Sequence, residues 1–368
     1  MKIDVTLLNV KDGDAIIVEL VRANQTLVMV VDGGRKSYYE TKMKPALELI
    51  LHKHEKKAPD IVVCTHYDSD HIGGLIPLLK DYINDVKQVW VHKIPLLLNE
   101  YFTQATLILE EDRKLKHLTS PKMLSLLNEV FDNSVKSSQK LPEQREQVGL
   151  LLESITELKQ LIDLIPEDKL VEPFNNGETL LPDWPEVKIL GPTPEYYNAL
   201  FPPSKSLDIF LTEELMQQRF IKERDLLAYA QRLTEIAGVK SVAVSSCEKL
   251  KKDNNTSLTA TNKASIIFAI KDGSNQYLFT GDAGIESFKK IPNWEQQLKE
   301  LYFLKVPHHG SSNNLTEQLI ELMQPSFAYC SGDKYQDDEV LDCLKSKGSK
   351  VHTTKLKKDL IFDNTNPS

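Results

Sequence analysis

The sequence predicts a layered α/β domain, on three observations. Short apolar runs alternate with turns and helix patterns through the first third of the chain. Strand-like runs return after residue 187, and polar motifs sit at the ends of those runs. Sheets with helices packed on their faces are written in sequence this way.

The runs Ile3 to Val10, Ala15 to Leu20 and Leu27 to Val31 read as strands, the last closing on Asp32-Gly33-Gly34. A helix pattern follows from Pro45 through Leu51, then a buried strand from Ile61 to Cys64. Gly73-Gly74 next permits a tight turn into a helix whose Leu75, Ile76, Leu78 and Leu79 form an apolar face, and a strand follows from Val86 to Val91. Between about Pro95 and Val171 apolar residues such as Leu151, Ile155, Leu158 and Ile162 recur at helical spacing among Glu, Gln and Lys. That stretch reads as a helical insertion. Strand signals resume at Val187 to Leu190, before a second helical stretch near Thr212 to Ile236 and strand-like runs at Ala264 to Ile270, Tyr277 to Thr280 and Leu301 to Val306. The expected organisation is a first half over 1–94, a helical insertion over 95–180, and a second half over 181–368 with a shorter helical segment near 205–240.

The 368 residues suffice for a substantial core, and 41% hydrophobic with 27% charged residues is ordinary for a soluble globular protein. No apolar run approaches the roughly 18 residues that span a bilayer. The N-terminus reads as a strand rather than a signal peptide, so a cytoplasmic location without membrane contact is expected. Cys64, Cys247, Cys330 and Cys343 are widely spaced, which reads as reduced packing thiols rather than disulfides or a thiolate zinc site. A net charge of −8 argues against coating nucleic acid through a general basic surface, though a local groove stays open. The clusters Lys249, Lys251, Lys252 and Lys355, Lys357, Lys358 read as solvated surface.

The run His66-Tyr67-Asp68-Ser69-Asp70-His71 packs four potential metal ligands into six residues directly behind a buried strand. Two imidazoles and two carboxylates this close repel or stay unsatisfied in a mere core, and a divalent cation resolves the conflict. A turn in which the Asp side chains cap backbone amides is the competing reading. Three later motifs also lie at ends of apolar runs: Asn262-Lys263-Ala264-Ser265, Thr280-Gly281-Asp282, and Val306-Pro307-His308-His309-Gly310-Ser311. Ligand sites in layered α/β proteins form at strand ends, so these motifs are expected to converge on the first. His52, His54, His92, His117 and His352 carry no site claim, and Cys64 is expected to point into packing.

Taken together, Asp12-Gly13-Asp14-Ala15, Val31-Asp32-Gly33-Gly34, Thr65-His66-x-Asp68-x-Asp70-His71-x-Gly73-Gly74, Asn262-x-x-Ser265, Thr280-Gly281-Asp282 and Leu304-Lys305-Val306-Pro307-His308-His309-Gly310-Ser311 resemble the metallo-β-lactamase-fold hydrolases. The resemblance is to the branch typified by the metallo-hydrolase domain of the ComEC DNA-uptake proteins. It implies a four-layer αββα sandwich with helical insertions. It also implies two divalent metal ions, zinc or manganese. His66 and Asp68 would hold one, Asp70 and His71 the other, Asp282 would bridge them, and His308 or His309 would complete the second site. The family's usual H-x-H-x-D-H loop has Asp68 at its middle imidazole here, and this harder ligand shifts the expectation toward manganese. Another departure is Tyr335-Gln336-Asp337-Asp338 where members often carry Tyr-Gly-His-Pro.

The implied function is a phosphodiesterase or nuclease acting through a metal-bridged hydroxide, with DNA or RNA as the first substrates to consider. Asp70 would hold the nucleophile in line. His309, as the imidazole left off the metal, would join Asn262 and Ser311 in donating to the transition state or leaving oxygen. A hydrolase of a small phosphodiester or ester is the alternative. A third reading is a metal-bearing interaction module whose helical insertion binds a protein partner or a second copy of the chain.

Overall fold

In the computed structural model the described residues are 1–23, 25–93, 106–111, 123, 127, 141–202, 213–214, 246–250, 258–332, 336–356 and 358–367. The first sheet takes β1 (Lys2–Leu7), β2 (Ala15–Arg22), β3 (Gln25–Gly33), β4 (Ile61–Val63), β5 (Gln88–Trp90) and β6 (Leu170–Val171). The second takes β7 (Val187–Gly191), β8 (Ile267–Asp272), β9 (Asn275–Phe279), β10 (Phe303–Lys305), β11 (Phe327–Cys330) and β12 (Lys350–Thr353), and β13 (Leu360–Asp363) returns to the edge of the first. The orders are β13-β1-β2-β3-β4-β5-β6 and β12-β11-β10-β9-β8-β7. β3 to β6 run parallel, as do β9 to β12, so several strands end on the same side of each sheet.

Period-two alternation explains why the sheets stack face to face. Ile3, Val5 and Leu7 of β1, Ile16, Val18 and Leu20 of β2, and Met29 and Val31 of β3 point into the layer between the sheets. Phe268, Tyr277, Phe279, Phe303 and Tyr329 meet them from the second sheet, with Phe268 and Phe279 stacked at 4.7 Å. The alternate residues face outward and would be wet without helices. Val28, Val30, Val62 and Val89 are covered by α1 (Lys44–Lys53), α3 (Leu75–Tyr82), which follows the short α2 (Ser69–Ile72), and α4 (Leu141–Leu164). Leu278, Leu304 and Ala328 are covered by helices Glu317–Met323 and Asp338–Ser346. The helix–sheet–sheet–helix order matches the expected fold class.

Helix α4 lies in the stretch read as helical, and its Leu151, Leu152, Ile155, Leu158 and Leu161 are buried against the first sheet's helices. Helical character stops at Leu164, and β6 then pairs with β5, so the span 95–180 also supplies an edge strand. Most of 95–140 and of Thr212 to Ile236 lies outside the described residues; 106–111, 123, 127 and 213–214 are helical. Among the described residues no helix is long and apolar enough to cross a membrane.

The cysteine reading needs correction. Cys247 and Cys343 form a disulfide between helix Ser246–Lys249 and helix Asp338–Ser346, with Cα atoms 4.8 Å apart, while Cys64 and Cys330 are free and buried. Spacing alone hid this pair, because its partners lie 96 residues apart and meet only once the second sheet's outer helices have packed. Peptide mapping without reductant should recover Cys247 linked to Cys343. Cys343→Ser should lower the unfolding free energy in urea titrations by about 2–4 kcal/mol, as expected for cross-linking a long loop.

Candidate metal centre

Four segments from the two sheets meet at the strand ends. The chain leaving β3 passes through Asp32, which is fully buried and adopts a left-handed conformation at φ 56°. Its carboxylate accepts from the Thr65 backbone N–H at 2.8 Å and the Thr65 hydroxyl at 2.6 Å, tying the end of β3 to the loop that leaves β4. The same carboxylate lies 2.9 Å from His71 Nδ1, fixing a proton there and turning Nε2 toward Asp282. His66 Nδ1 lies 3.0 Å from Thr65 Oγ1, whose own proton goes to Asp32, so His66 also turns Nε2 outward.

From the second sheet, Asp282 follows β9 and its backbone N–H donates to Ser265 Oγ at 3.1 Å. The histidine pair follows β10. His308 and His309 both occupy the left-handed region, at φ 45° and 53°. Two successive L-residues there cost about 1–2 kcal/mol each. This backbone lets neighbouring imidazoles converge on one carboxylate. His308 Nδ1 donates to Asn314 Oδ1 at 3.0 Å, and Asn314 Nδ2 donates to the Asp282 and Ala283 carbonyls at 2.9 and 3.0 Å.

The result is a carboxylate ringed by imidazoles. Asp282 Oδ2 lies 3.7 Å from His66 Nε2, 3.6 Å from His308 Nε2 and 3.8 Å from His309 Nε2, while Oδ1 lies 3.5 Å from His71 Nε2. His66 Nε2, His71 Nε2 and Asp282 Oδ1 are buried with no hydrogen-bond partner. Orphaned polar atoms this deep demand an explanation. Two ligands each about 2.1 Å from one tetrahedral cation sit about 3.4 Å apart, close to the spacings found here. His66, His71 and Asp282 form one candidate ligand group, and Asp70, His71 and His309 a second. Asp68 Oδ2 is 3.8 Å from His66 Nε2, and its side chain is 28% exposed. The donor set fits two divalent cations.

The charges tell the same story. Burial, then repulsion from Asp70, pushes the Asp68 carboxyl well above the carboxylate range. Burial likewise, reinforced by His71, drives His66 well below the usual imidazole value. Burial opposes the charged form of His71, yet Asp282 and Asp32 outweigh it and hold that imidazole well above the ordinary value. Burial also disfavours ionised Asp282, but His71 and His308 outweigh it and its pKa lies well below the usual range.

The structure therefore gathers His66, Asp68, Asp70, His71, Asp282, His308 and His309, and brings both members of the histidine pair to Asp282. Asn262 and Ser311 are buried nearby with other engagements. Asn262 donates its backbone N–H to Thr259 Oγ1 at 3.0 Å while its Oδ1 lacks a partner, and Ser311 Oγ accepts from Asn313 Nδ2 at 3.1 Å. Where the family's Tyr-Gly-His-Pro would lie, Tyr335 is outside the described residues, Gln336 Nε2 donates to the Gly332 carbonyl at 2.6 Å, and Asp337 accepts from Ser312 N–H at 2.7 Å. Sequence reasoning missed Asn314, Thr65 and Asp14 as partners of the imidazoles; Asp14 lies 3.4 Å from His309 Nδ1.

The model for the Metallo-beta-lactamase superfamily matches residues 10–140, which contain the histidine–aspartate loop. No curated protein matches the chain. Among solved structures, the chain is similar to AidC, a dizinc quorum-quenching lactonase in complex with a product N-hexnoyl-L-homoserine, at 9% identity and a TM-score of 0.29, over 92% of this chain and 71% of that one.

Gly13 shows how tightly the loops interlock. It sits at φ +96°, and a Cβ there would lie 1.8 Å from the Asp70 carbonyl oxygen. Gly13→Ala should therefore displace the Asp70 backbone, lowering the unfolding free energy by roughly 2–4 kcal/mol in chemical denaturation and reducing the metal bound by purified protein.

Proposed function

We propose that this protein is a dinuclear metal-dependent hydrolase acting on phosphodiesters, with DNA or RNA strands as the first substrates to test. The observation carrying this reading is the single carboxylate, Asp282, met by four imidazole Nε2 atoms at 3.5–3.8 Å. His66, Asp68 and His308 with Asp282 Oδ2 would hold one cation; Asp70, His71 and His309 with Asp282 would hold the other. This gives each member of the histidine pair a cation, so His309 is proposed as a ligand rather than as a free proton donor. Two divalent cations, when bound, supply Lewis acidity and acidify a water.

The chain's own residues do the rest. Asp282 and the imidazoles are almost wholly buried, which excludes bulk water from their side of the site, whereas Asp68 is partly open. That asymmetry supports a catalytic site with one accessible face over a closed structural one. Asp70, also partly exposed, stands on the open side, where it can orient a nucleophile by accepting its proton. The resemblance to the DNA-uptake branch supports a nucleic-acid substrate, and the net charge of −8 restricts its binding to a local groove. Asp68 in place of an imidazole supports manganese alongside zinc.

Purified protein should carry two equivalents of metal by elemental analysis and cut labelled single- or double-stranded nucleic acid with manganese or zinc, but not with chelator. Turnover confined to a small chromogenic diester or ester, unaffected by competing DNA, would move the substrate to that class. Loss of several kcal/mol of transition-state stabilisation corresponds to a fall of about a thousandfold or more, expected for Asp70→Ala and Asp282→Asn with retained melting temperature. Complexes with protein and no turnover by wild type on any of these would sink the enzyme reading.

Cation affinity should also depend on pH. His71 holds its proton above the usual imidazole range, and that proton must leave before Nε2 can ligate. Apparent affinity measured by chelator competition should go on climbing as pH rises well beyond the ordinary imidazole value of about 6.5, and a profile already flat above that value would contradict this.

A further inference from the structure

Lys305 ends β10 on the face it shares with Phe303, so its side chain runs into the layer between the sheets. It is 1% exposed, and its Nζ ion-pairs with Asp14 Oδ2, which precedes β2 and is equally buried. Such a pair is a weak source of stability, because desolvating both charges offsets their attraction. The other oxygen of the carboxylate supplies a different reason for it. Asp14 Oδ1 accepts from Ser331 Oγ and lies 3.4 Å from His309 Nδ1. Ser331 Oγ lies 3.4 Å from the same nitrogen, and with its proton directed at Asp14 it offers His309 only lone pairs. His309 Nδ1 thus faces two acceptors, which places a ring proton there and turns Nε2 toward Asp282. Gly332, at φ +84°, backs the ring; a Cβ there would come within 2.9 Å of His309 Cγ.

We propose that the buried Lys305–Asp14 ion pair, with Ser331, is a positioning device that sets the Nδ1–H tautomer of His309 and aims its Nε2 into the two-cation site. This rests on the reading of that site as metal-binding. Asp32 does the same for His71, Thr65 for His66 and Asn314 for His308. His309 differs in that one of its two acceptors, Asp14, comes from the opposite sheet. Lys305 compensates the charge that makes Asp14 a strong acceptor and at the same time links the start of β2 to the end of β10. Lys305 and Asp14 are positioning residues: they act through His309.

Two double variants separate this role from simple packing, since each removes both charges and leaves neither buried alone. Asp14→Asn with Lys305→Met keeps an acceptor for Nδ1–H, whereas Asp14→Leu with Lys305→Met removes it. Zinc and manganese affinities are measured by competition with a chromophoric chelator, folding by melting temperature, and the His309 tautomer by ¹⁵N NMR of metal-free protein, with the resonance assigned through His309→Gln. The Asn variant should hold both cations within about threefold of wild type, and the Leu variant should bind one of the two about 10–100-fold more weakly, with the ring proton shifted toward Nε2. Equal affinities in the two variants, whether both intact or both reduced, would overturn the proposal. So would a wild-type His309 that carries its proton on Nε2, a result that needs no variant to fold. Wild type that takes up no cation would instead overturn the two-cation reading, and the tautomer comparison would still decide this one.

Discussion

Asp282 is an acidic group surrounded by nitrogen atoms that cannot all be satisfied by it. Each imidazole directs Nδ1 to a partner behind it, in Asp32, Thr65, Asn314 or the Asp14–Ser331 pair, so the Nε2 atoms converge on Asp282. The fold serves that convergence. The first sheet delivers Asp14, Asp32 and the loop from His66 to His71, and the second delivers Asp282, His308 and His309. Neither of the two cation sites proposed around Asp282 and His309 is complete on one sheet alone. The aromatic layer in which Phe268, Phe279 and Phe303 meet the aliphatic face of β1 to β3 therefore sets the distance between the two halves of the ligand set.

Most of the first sheet was legible, because β1 to β4 are long or apolar enough for alternation or continuous burial to stand out. The end of the chain was not. β11, β12 and β13 are four residues each, and β12 has no fully buried position, so neither period nor apolar run marks it. The convergence of the candidate ligands was legible for a different reason: His, Asp and Gly clusters at strand ends keep their chemical meaning without any knowledge of pairing. The behaviour of the histidine pair was not legible. Expecting one ligand from two neighbours assumes that adjacent side chains diverge, which holds for extended or right-handed backbone, and His308 and His309 adopt neither. Asp14 was visible only as part of a motif, since its partners Lys305 and Ser331 are remote in sequence.

Helix α4 bears on the site more directly than an appended segment would. It packs on α2 and α3, and Glu157 accepts a hydrogen bond of 2.6 Å from Ser69 Oγ, the residue between Asp68 and Asp70. Ser69 cannot turn without breaking that contact, and the backbone on which Asp68 and Asp70 sit is restrained with it. Burying one side of a long amphipathic helix against the ligand loop thus converts nonspecific apolar packing into a restraint on two carboxylates. The opposite wall of the loop is Gly13, whose lack of a side chain admits the Asp70 backbone. The loop is held from both sides by the chain as well as by its own turn, in which the His71 and Ile72 N–H groups donate to the Asp68 carbonyl at 2.8 and 3.0 Å.

Charge accounts for the remaining feature, the density of acids in so small a volume. Asp14, Asp32, Asp68, Asp70 and Asp282 lie close to the same imidazoles, and Lys305, paired with Asp14, is the one ammonium at hand among the described residues; with every carboxyl ionised and every imidazole neutral, as full metal ligation would require, five acids against one ammonium leave four negative charges. Two divalent cations, when bound, would offset that charge. A single cation would leave two negative charges in surroundings that already push the Asp68 carboxyl upward, and protons taken up to offset them would compete for the same donor atoms. A half-filled site is therefore the worst compensated of the metal-bearing states. On the proposed two-cation reading, the residues that hold Nδ1 of each imidazole decide which lone pairs would meet the cations, while the number of carboxylates favours two cations over one.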